Sequence, residues 1–218
     1  MTDVTPTLAS GQPQRPRTQL VATGFASAIC AMMMAGALGI YMARRHASGP
    51  HPGHDWLDGL AVPNPQFDYA LLTLVASLIT AHWALWASRR RDTAHTWTAI
   101  ATTLVLGLGF VNMVMYSMNR MELEIGSGEY QNLAFATTGL SLAIVVVGLL
   151  YLGLMGLRSL GGSVGQQGST TLGAAVFFWD FAALAWAVTW YTVYAVSYTH
   201  LRAHETVLDL VCRLLLEK

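Results

Sequence analysis

Five long apolar runs, almost free of charge, dominate this chain of 218 residues. A helix needs roughly 20 residues to cross a hydrocarbon layer of about 30 Å, and each run reaches that length. In lipid every backbone amide must be paired within its segment or in a closed barrel, and the runs lack the two-residue alternation of barrel strands. We therefore predict an all-α bundle of five transmembrane helices within residues 19–197. The runs are Leu20–Ala43, Tyr69–Ser88, Thr96–Met118, Leu133–Leu157 and Leu172–Ser197.

Composition excludes several other classes of protein. Hydrophobic residues make up 54% of the chain and charged residues 11%, whereas soluble domains carry about 25% charged residues. The formal net charge is zero, so no basic surface for a nucleic-acid partner is expected. Two cysteines are too few for a disulfide framework or for a four-ligand zinc site.

The two ends of the chain differ from its middle. Residues 1–18 are polar and rich in proline, so we expect a disordered segment there. The first apolar run is too long for the core of a cleavable signal peptide, and Arg44 and Arg45 follow it instead of small residues.

From Val196 onward the sequence resembles the in-frame translation of a DNA sequencing adapter. We therefore expect residues 198–218 to be a non-native tail, and we leave His200, His204 and Cys212 out of the functional inventory. The alternative is an amphipathic terminal helix, because Leu208, Val211 and Leu215 fall at helical spacing.

Basic residues in the connections predict the orientation of the bundle. Six fall on one side of the membrane and three on the other. We therefore predict a cytoplasmic N-terminus. The larger group is Arg15, Arg17, Arg89, Arg90, Arg91 and Arg158, and the smaller group is Arg44, Arg45 and Arg120.

The sequence offers few candidates for metal chemistry. His46, His51 and His54 lie in the first long loop near two aspartates, where they are either divalent-metal ligands or ordinary solvated side chains. A haem-binding bundle needs axial ligands from facing helices, and His82 is the single histidine in the apolar runs. No familiar catalytic motif is present. We therefore expect no redox centre and no metal site among the five helices.

Two ionisable residues, His82 and Asp180, interrupt the apolar runs. Counted along their runs, they lie about 10 Å and about 12 Å from the same membrane end. An unpaired carboxylate in lipid is costly. We therefore expect Asp180 to face the bundle interior within reach of His82, as a structural pair or as a proton relay.

The fifth run carries a distinctive aromatic pattern, which consists of Phe177, Phe178, Trp179, Phe181, Trp186 and Tyr194. This pattern resembles the last helix of subunit III of the haem-copper oxidases. Thr138 and Gly139 resemble the Thr-Gly of another motif of that family, and in outline Tyr41 and Ser77 also lie where the family has them.

This chain departs from the family pattern at several polar positions. Asp180 stands where the family usually has histidine, and Ala183 and Cys30 stand where it has acids. Ser141 and Ile144 occupy two histidine positions.

The resemblance implies an accessory subunit without its own haem or copper. Such a subunit packs against the catalytic subunit I and the other subunits of a respiratory terminal oxidase, holds lipid, and supports stability and proton uptake during turnover. A relative attached to a nitric oxide reductase fits the same pattern. The alternatives from other classes are an independent transporter, for which His82 and Asp180 are the candidate site, and a structural assembly factor.

Overall fold

The computed structural model describes residues 18–48, 56, 64–121, 128–160 and 166–195. These residues form five helices, each long and apolar enough to span a membrane, and the predicted fold class is confirmed. The N-terminal segment and the tail after residue 195 lie outside the described residues. The helices are α1 (Thr18–Ala47), α2 (Asn64–Arg89), α3 (Thr93–Arg120), α4 (Glu129–Leu160) and α5 (Gln166–Thr189), and α5 continues as a π-helical turn, Trp190–Ala195.

Each helix begins before its predicted apolar run. A run ends at the first polar stretch, whereas a helix continues as long as its backbone bonds are made. α2 begins at Asn64, with Pro65 at a position where a missing N–H costs nothing. At the start of α3, the Asp92 side chain accepts a hydrogen bond from the backbone N–H of His95 and caps the helix.

Contacts between helix ends show that α1 and α4 run in opposite directions, and that α2 and α5 do as well. At one end of the bundle, Arg44 of α1 pairs with Glu129 of α4 at 3.5 Å. At the same end, the indole of Trp190 donates to Asp68 at the start of α2, at 3.1 Å. At the opposite end, Thr23 of α1 and Tyr151 of α4 share a hydrogen bond of 3.2 Å. Which end faces the cytoplasm stays a prediction.

α5 is the central helix of the bundle. It packs against α1, α2 and α4, while α3 packs against α2 and α4. In the most apolar stretch of α5, 56% of the residues are buried, whereas in that of α1 only 17% are buried. α1 therefore presents most of its surface outward, as the exposed side chains of Phe25, Ile29 and Met32 show. Large apolar side chains are also exposed on the other four helices, as a lipid environment requires.

Candidate functional site

The aromatic pattern of α5 divides into an inner and an outer set. Trp179, Trp186 and Tyr194 are fully buried, and Phe178 is nearly so. Phe177, by contrast, is 45% exposed, and Phe181 is half-buried. The inner residues lie along the side of α5 that faces the other helices, so most of the family pattern forms the centre of this bundle.

Trp179 joins three helices near the middle of the bundle. Its indole N–H donates to Ser77 Oγ of α2 at 3.1 Å, and Ser77 Oγ donates in turn to the Leu74 carbonyl at 2.6 Å. The ring lies against Gly148 of α4, where an added Cβ would be 3.0 Å from ring atom Cε3. Trp179 therefore needs a hydroxyl on α2 and a glycine on α4.

Tyr194 is held at the other end of the pattern by Thr138. The two hydroxyls are 2.6 Å apart and both residues are buried. The ring of Phe67 stacks on Tyr194 with a centroid distance of 4.1 Å. The π-helical turn positions Tyr194 for both contacts, and π-helical turns are rare and often occur at functional positions. Gly139, the neighbour of Thr138, faces open space.

Further aromatic residues close this end of the bundle. Trp186 packs edge-on against Phe110 with a centroid distance of 5.0 Å. Trp56 lies edge-on between Tyr41 and Tyr130, at centroid distances of 5.9 Å and 6.1 Å. Among the residues that the structure describes, the Tyr130 hydroxyl and the Trp186 indole N–H are buried without a hydrogen-bond partner. Phe67 was not identified from the sequence, because it precedes the second apolar run.

The structure brings His82 and Asp180 together across α2 and α5. His82 Nε2 and Asp180 Oδ2 are 3.5 Å apart. His82 Nδ1 lies 3.0 Å from the Leu78 carbonyl. A carbonyl only accepts, so Nδ1 carries a proton and donates. The contact between Nε2 and the carboxyl group is then attractive only if one further proton lies on either group, which makes the pair neutral overall.

The pair lies at the outer surface of the described bundle, not in its interior as expected. The side chain of His82 is 57% exposed and that of Asp180 is 40% exposed. The interior positions of α5 are occupied by Trp179, Ala182 and Trp186. Position 180 is turned by about 100° from position 179, toward the seam between α5 and α2.

The start of α5 differs from the start of its predicted apolar run. α5 begins at Gln166 and not at Leu172, so Asp180 lies about 21 Å along the axis from the first residue of the helix, and its depth in the membrane stays a prediction. His82 remains about 10 Å from Arg89, the last residue of α2. The two residues still meet, because α5 extends beyond the end of α2 on this side.

At most positions where the family pattern has a charged or histidine residue, this chain has an uncharged residue that is buried. Ile144 and Ala183 are buried among apolar residues, and Ser141 Oγ donates to the Thr138 carbonyl at 2.9 Å. Cys30 is half-buried and has a free thiol. In the described helices these positions therefore contribute packing, and the serine hydroxyl is already paired.

The proposed metal ligands of the first loop do not form a described site. His46 lies in the last turn of α1, while His51 and His54 lie outside the described residues. Across the part of the chain that the structure describes, no group of three or more His, Cys, Asp or Glu side chains lies close enough to hold a metal ion.

The connection between α2 and α3 carries the features of a membrane interface. Arg90 stacks over the Trp86 ring at 4.0 Å from its centroid, and Trp83 contacts His95 edge-on at 6.0 Å. The hydrogen bond from the His95 backbone N–H, together with the His95 ring, holds the pKa of Asp92 below its usual value. Arg91, with φ of 60°, makes the turn between the two helices. Aromatic and basic side chains of this kind mark the headgroup level.

The fold and these contacts define a multi-pass α-helical membrane protein with an aromatic core centred on its last helix. The chain belongs to the cytochrome c oxidase subunit III family, because the sequence model of that family, described as "Cytochrome c oxidase subunit III", matches residues 22–198.

Individual relatives carry the same name. A "Probable cytochrome c oxidase subunit 3" of Rickettsia prowazekii is 31% identical over 136 residues, which are 61% of this chain and 48% of the relative. A "Cytochrome c oxidase subunit 3" of Cyprinus carpio is 25% identical over 163 residues, 72% of this chain and 62% of the relative. The chain thus aligns with less than two thirds of the length of these curated relatives.

Proposed function

We propose that this chain is an accessory subunit of a respiratory haem-copper terminal oxidase, bound to the catalytic subunit I and to the other oxidase subunits in a bacterial plasma membrane. The match to the subunit III family across residues 22–198 carries this proposal. The Rickettsia relative supports the bacterial setting. Haem and copper belong to the partner subunits, and the role of this chain in aerobic electron transport is to stabilise the complex during turnover.

The described contacts support a packing role. The family-pattern residues Trp179, Trp186 and Tyr194 are fully buried and hold the helices together, so the pattern serves the bundle itself. Exposed leucines and valines on its surface suit lipid and neighbouring helices.

Fewer residues of this chain support a role in proton uptake than support a role in packing. The family acid is replaced by Cys30, and the ionisable side chains within the described apolar runs that contact each other are His82 and Asp180, at 3.5 Å. We propose that this pair is structural and that proton uptake is supported indirectly, through the stability of the partner subunit.

Purification of a tagged chain from membranes of its source organism tests the proposal. We expect haem absorbance and polypeptides of an oxidase to co-purify with the chain, and we expect the chain expressed alone to show no Soret band. A chain that purifies without oxidase subunits, or that retains haem when expressed alone, would contradict the proposal.

The transporter alternative draws on the same ionisable pair. A transporter places such groups along a pathway through the bundle, whereas His82 and Asp180 lie at its outer surface. Proton or ion flux into liposomes that contain only this chain would favour the transporter.

A further inference from the structure

α2 and α5 form a continuous lateral face with one polar point. α5 exposes a narrow strip between its neighbours α1 and α2, and the exposed side of α2 lies beside it. We name this surface the α2–α5 face. It consists of Val75, Ile79, His82 and Trp86 of α2, and of Phe177, Asp180, Leu184, Val188 and Tyr191 of α5.

Counted along α2, the polar point is expected to lie within the apolar part of the membrane. His82 is one helical turn inward from Trp86, about 6 Å, and Trp86 packs with Arg90 at the interface. Farther inward, Ile79 and Leu184 are exposed at 69% and 63%. Lipid headgroups therefore lie on one side of the pair, and hydrocarbon chains would surround the rest of it.

The carboxyl group of Asp180 has an unfilled hydrogen-bonding capacity. Within the described residues its polar contact is with His82 through Oδ2, and this leaves Oδ1 without a donor. A carboxyl oxygen in hydrocarbon is costly unless a donor reaches it. A hydrogen-bond donor to Oδ1 of Asp180 must therefore come from outside the described bundle.

We propose that the α2–α5 face docks against a transmembrane helix of another oxidase subunit, and that this helix donates a hydrogen bond from a hydroxyl, amide, or indole side chain to Asp180. The proposal rests on the proposed function, which makes the chain part of a larger complex. A neutral donor side chain on a transmembrane helix can reach Asp180 at this depth, and no additional charge then has to enter the lipid.

A second copy of this chain fits the surface less well. Contact of two such faces about a two-fold axis would bring Asp180 toward its own counterpart. Each copy would then present an acceptor oxygen, while its neighbour His82 already contacts Asp180 of its own chain. The heterologous helix supplies what both copies lack.

Site-specific photo-crosslinking in the intact complex tests the proposal. The photoreactive residue p-benzoylphenylalanine replaces Leu184 in the α2–α5 face or, as the matched control, Leu108 of α3, and both leucines are 63% exposed. After irradiation of native membranes we expect an adduct from position 184 with a transmembrane peptide of an oxidase subunit that carries a donor side chain. We expect no such adduct from position 108.

Replacement of Asp180 adds a second measurement. Asp180→Leu removes the acceptor, and Asp180→Asn keeps an acceptor oxygen of similar position. Interhelical hydrogen bonds in membranes contribute about 0.6–2 kcal/mol, so we expect Asp180→Leu to lower the retention of the chain in the complex about 3- to 30-fold. We expect Asp180→Asn to lower it less. The thermal midpoint of each isolated variant shows whether the bundle itself is intact.

The outcomes separate the docking proposal from the proposed function. If the chain co-purifies with an oxidase but position 184 yields adducts with phospholipid only, with a second copy, with a helix lacking a donor, or with nothing, the docking proposal is wrong and the proposed function stands. Equal retention of Asp180→Leu and wild type also overturns the docking proposal. If the chain does not co-purify with an oxidase, the proposed function fails first.

Discussion

At the scale of single residues, the family pattern of α5 matters here through its hydrogen bonds as well as through its bulk. Trp179 and Tyr194 each end in a polar atom that is buried, and each finds a hydroxyl on another helix, Ser77 or Thr138. Without such a partner a buried donor costs about 1–3 kcal/mol. The aromatic residues could be predicted from the sequence as a pattern, but their partners could not, because spacing along one helix does not show which helix lies opposite.

The hydrogen bond between Thr138 and Tyr194 is predicted to be a coupled pair. Thr138→Val and Tyr194→Phe each remove one hydroxyl at nearly constant volume and leave the other buried without a partner. We expect the losses in free energy of unfolding of the two single variants to add up to more than the loss of the double variant. The difference, which is the coupling energy, should be about 0.5–1.5 kcal/mol. Reversible unfolding in detergent measures the cycle, and additive effects would contradict the contact.

Gly148 is predicted to be required by the position of Trp179. A Cβ at Gly148 would be 3.0 Å from the Trp179 ring and 3.5 Å from Phe178. Trp179 cannot withdraw, because its indole is bonded to Ser77. We expect Gly148→Ala to lower the free energy of unfolding by about 1–3 kcal/mol.

Gly109→Ala is the matched control for this change. Gly109 is exposed and faces open space, so alanine there should be neutral or stabilise the helix by up to about 1 kcal/mol. Equal thermal midpoints for the two alanine variants would show that the Trp179 ring does not pack closely against position 148 of α4.

At the scale of elements, the number and type of helices followed from the sequence, whereas their ends did not. Hydropathy detects the segment that lipid must cover, and the cap at Asp92 and the start at Asn64 lie outside that segment. The sequence also gave no sign of the π-helical turn at Trp190–Ala195. Such a turn depends on tertiary packing around Tyr194, which no local pattern records.

The outward position of the His82–Asp180 pair has a similar origin. The pairing of His82 with Asp180 could be predicted by counting residues along the two apolar runs, but the direction of position 180 around α5 depends on which helices flank it. The bundle places large aromatic side chains inward, and Asp180 falls at the seam with α2. Counting residues therefore predicted that Asp180 would contact His82, but it did not predict that the pair would lie at the outer surface of the bundle.

The cap of α3 is predicted to give stability that depends on pH. The pKa of Asp92 is lowered in the folded protein, first by the hydrogen bond from the His95 backbone N–H. A lowered folded pKa means that the contribution is present above the unfolded value of about 4 and is lost as pH falls through the folded value. We expect Asp92→Ala to lower the thermal midpoint at pH 7 and to have little effect in strong acid.

Asp92→Asn serves as the control for the charge. Its side-chain oxygen still accepts from the His95 backbone N–H, so the cap remains while the ionisation is removed. We expect Asp92→Asn to lie between wild type and Asp92→Ala at pH 7, and its midpoint should change less between neutral and acidic pH. A cap without electrostatic content would give identical pH profiles for wild type and Asp92→Asn.

At the scale of the whole molecule, alternation of the helices and charge asymmetry together predict orientation. The end of the bundle that carries Arg44 and Glu129 should face away from the cytoplasm, because the other side has six of the nine basic residues counted in the connections. A cysteine placed at Ser127, in the connection between α3 and α4, should react with a membrane-impermeant maleimide from outside intact cells. Reaction from the cytoplasmic side alone would reverse the orientation.

The central claim is that the chain stabilises a partner that performs the chemistry. Its most direct test is the decay of oxygen consumption, at saturating reductant, by the oxidase purified with this chain and by the same catalytic subunits purified without it. The account predicts similar initial rates and a shorter half-life of activity for the preparation that lacks the chain, with readdition of the chain restoring the longer half-life. Identical half-lives, or an initial rate of zero that only this chain restores, would contradict a stabilising role without catalysis.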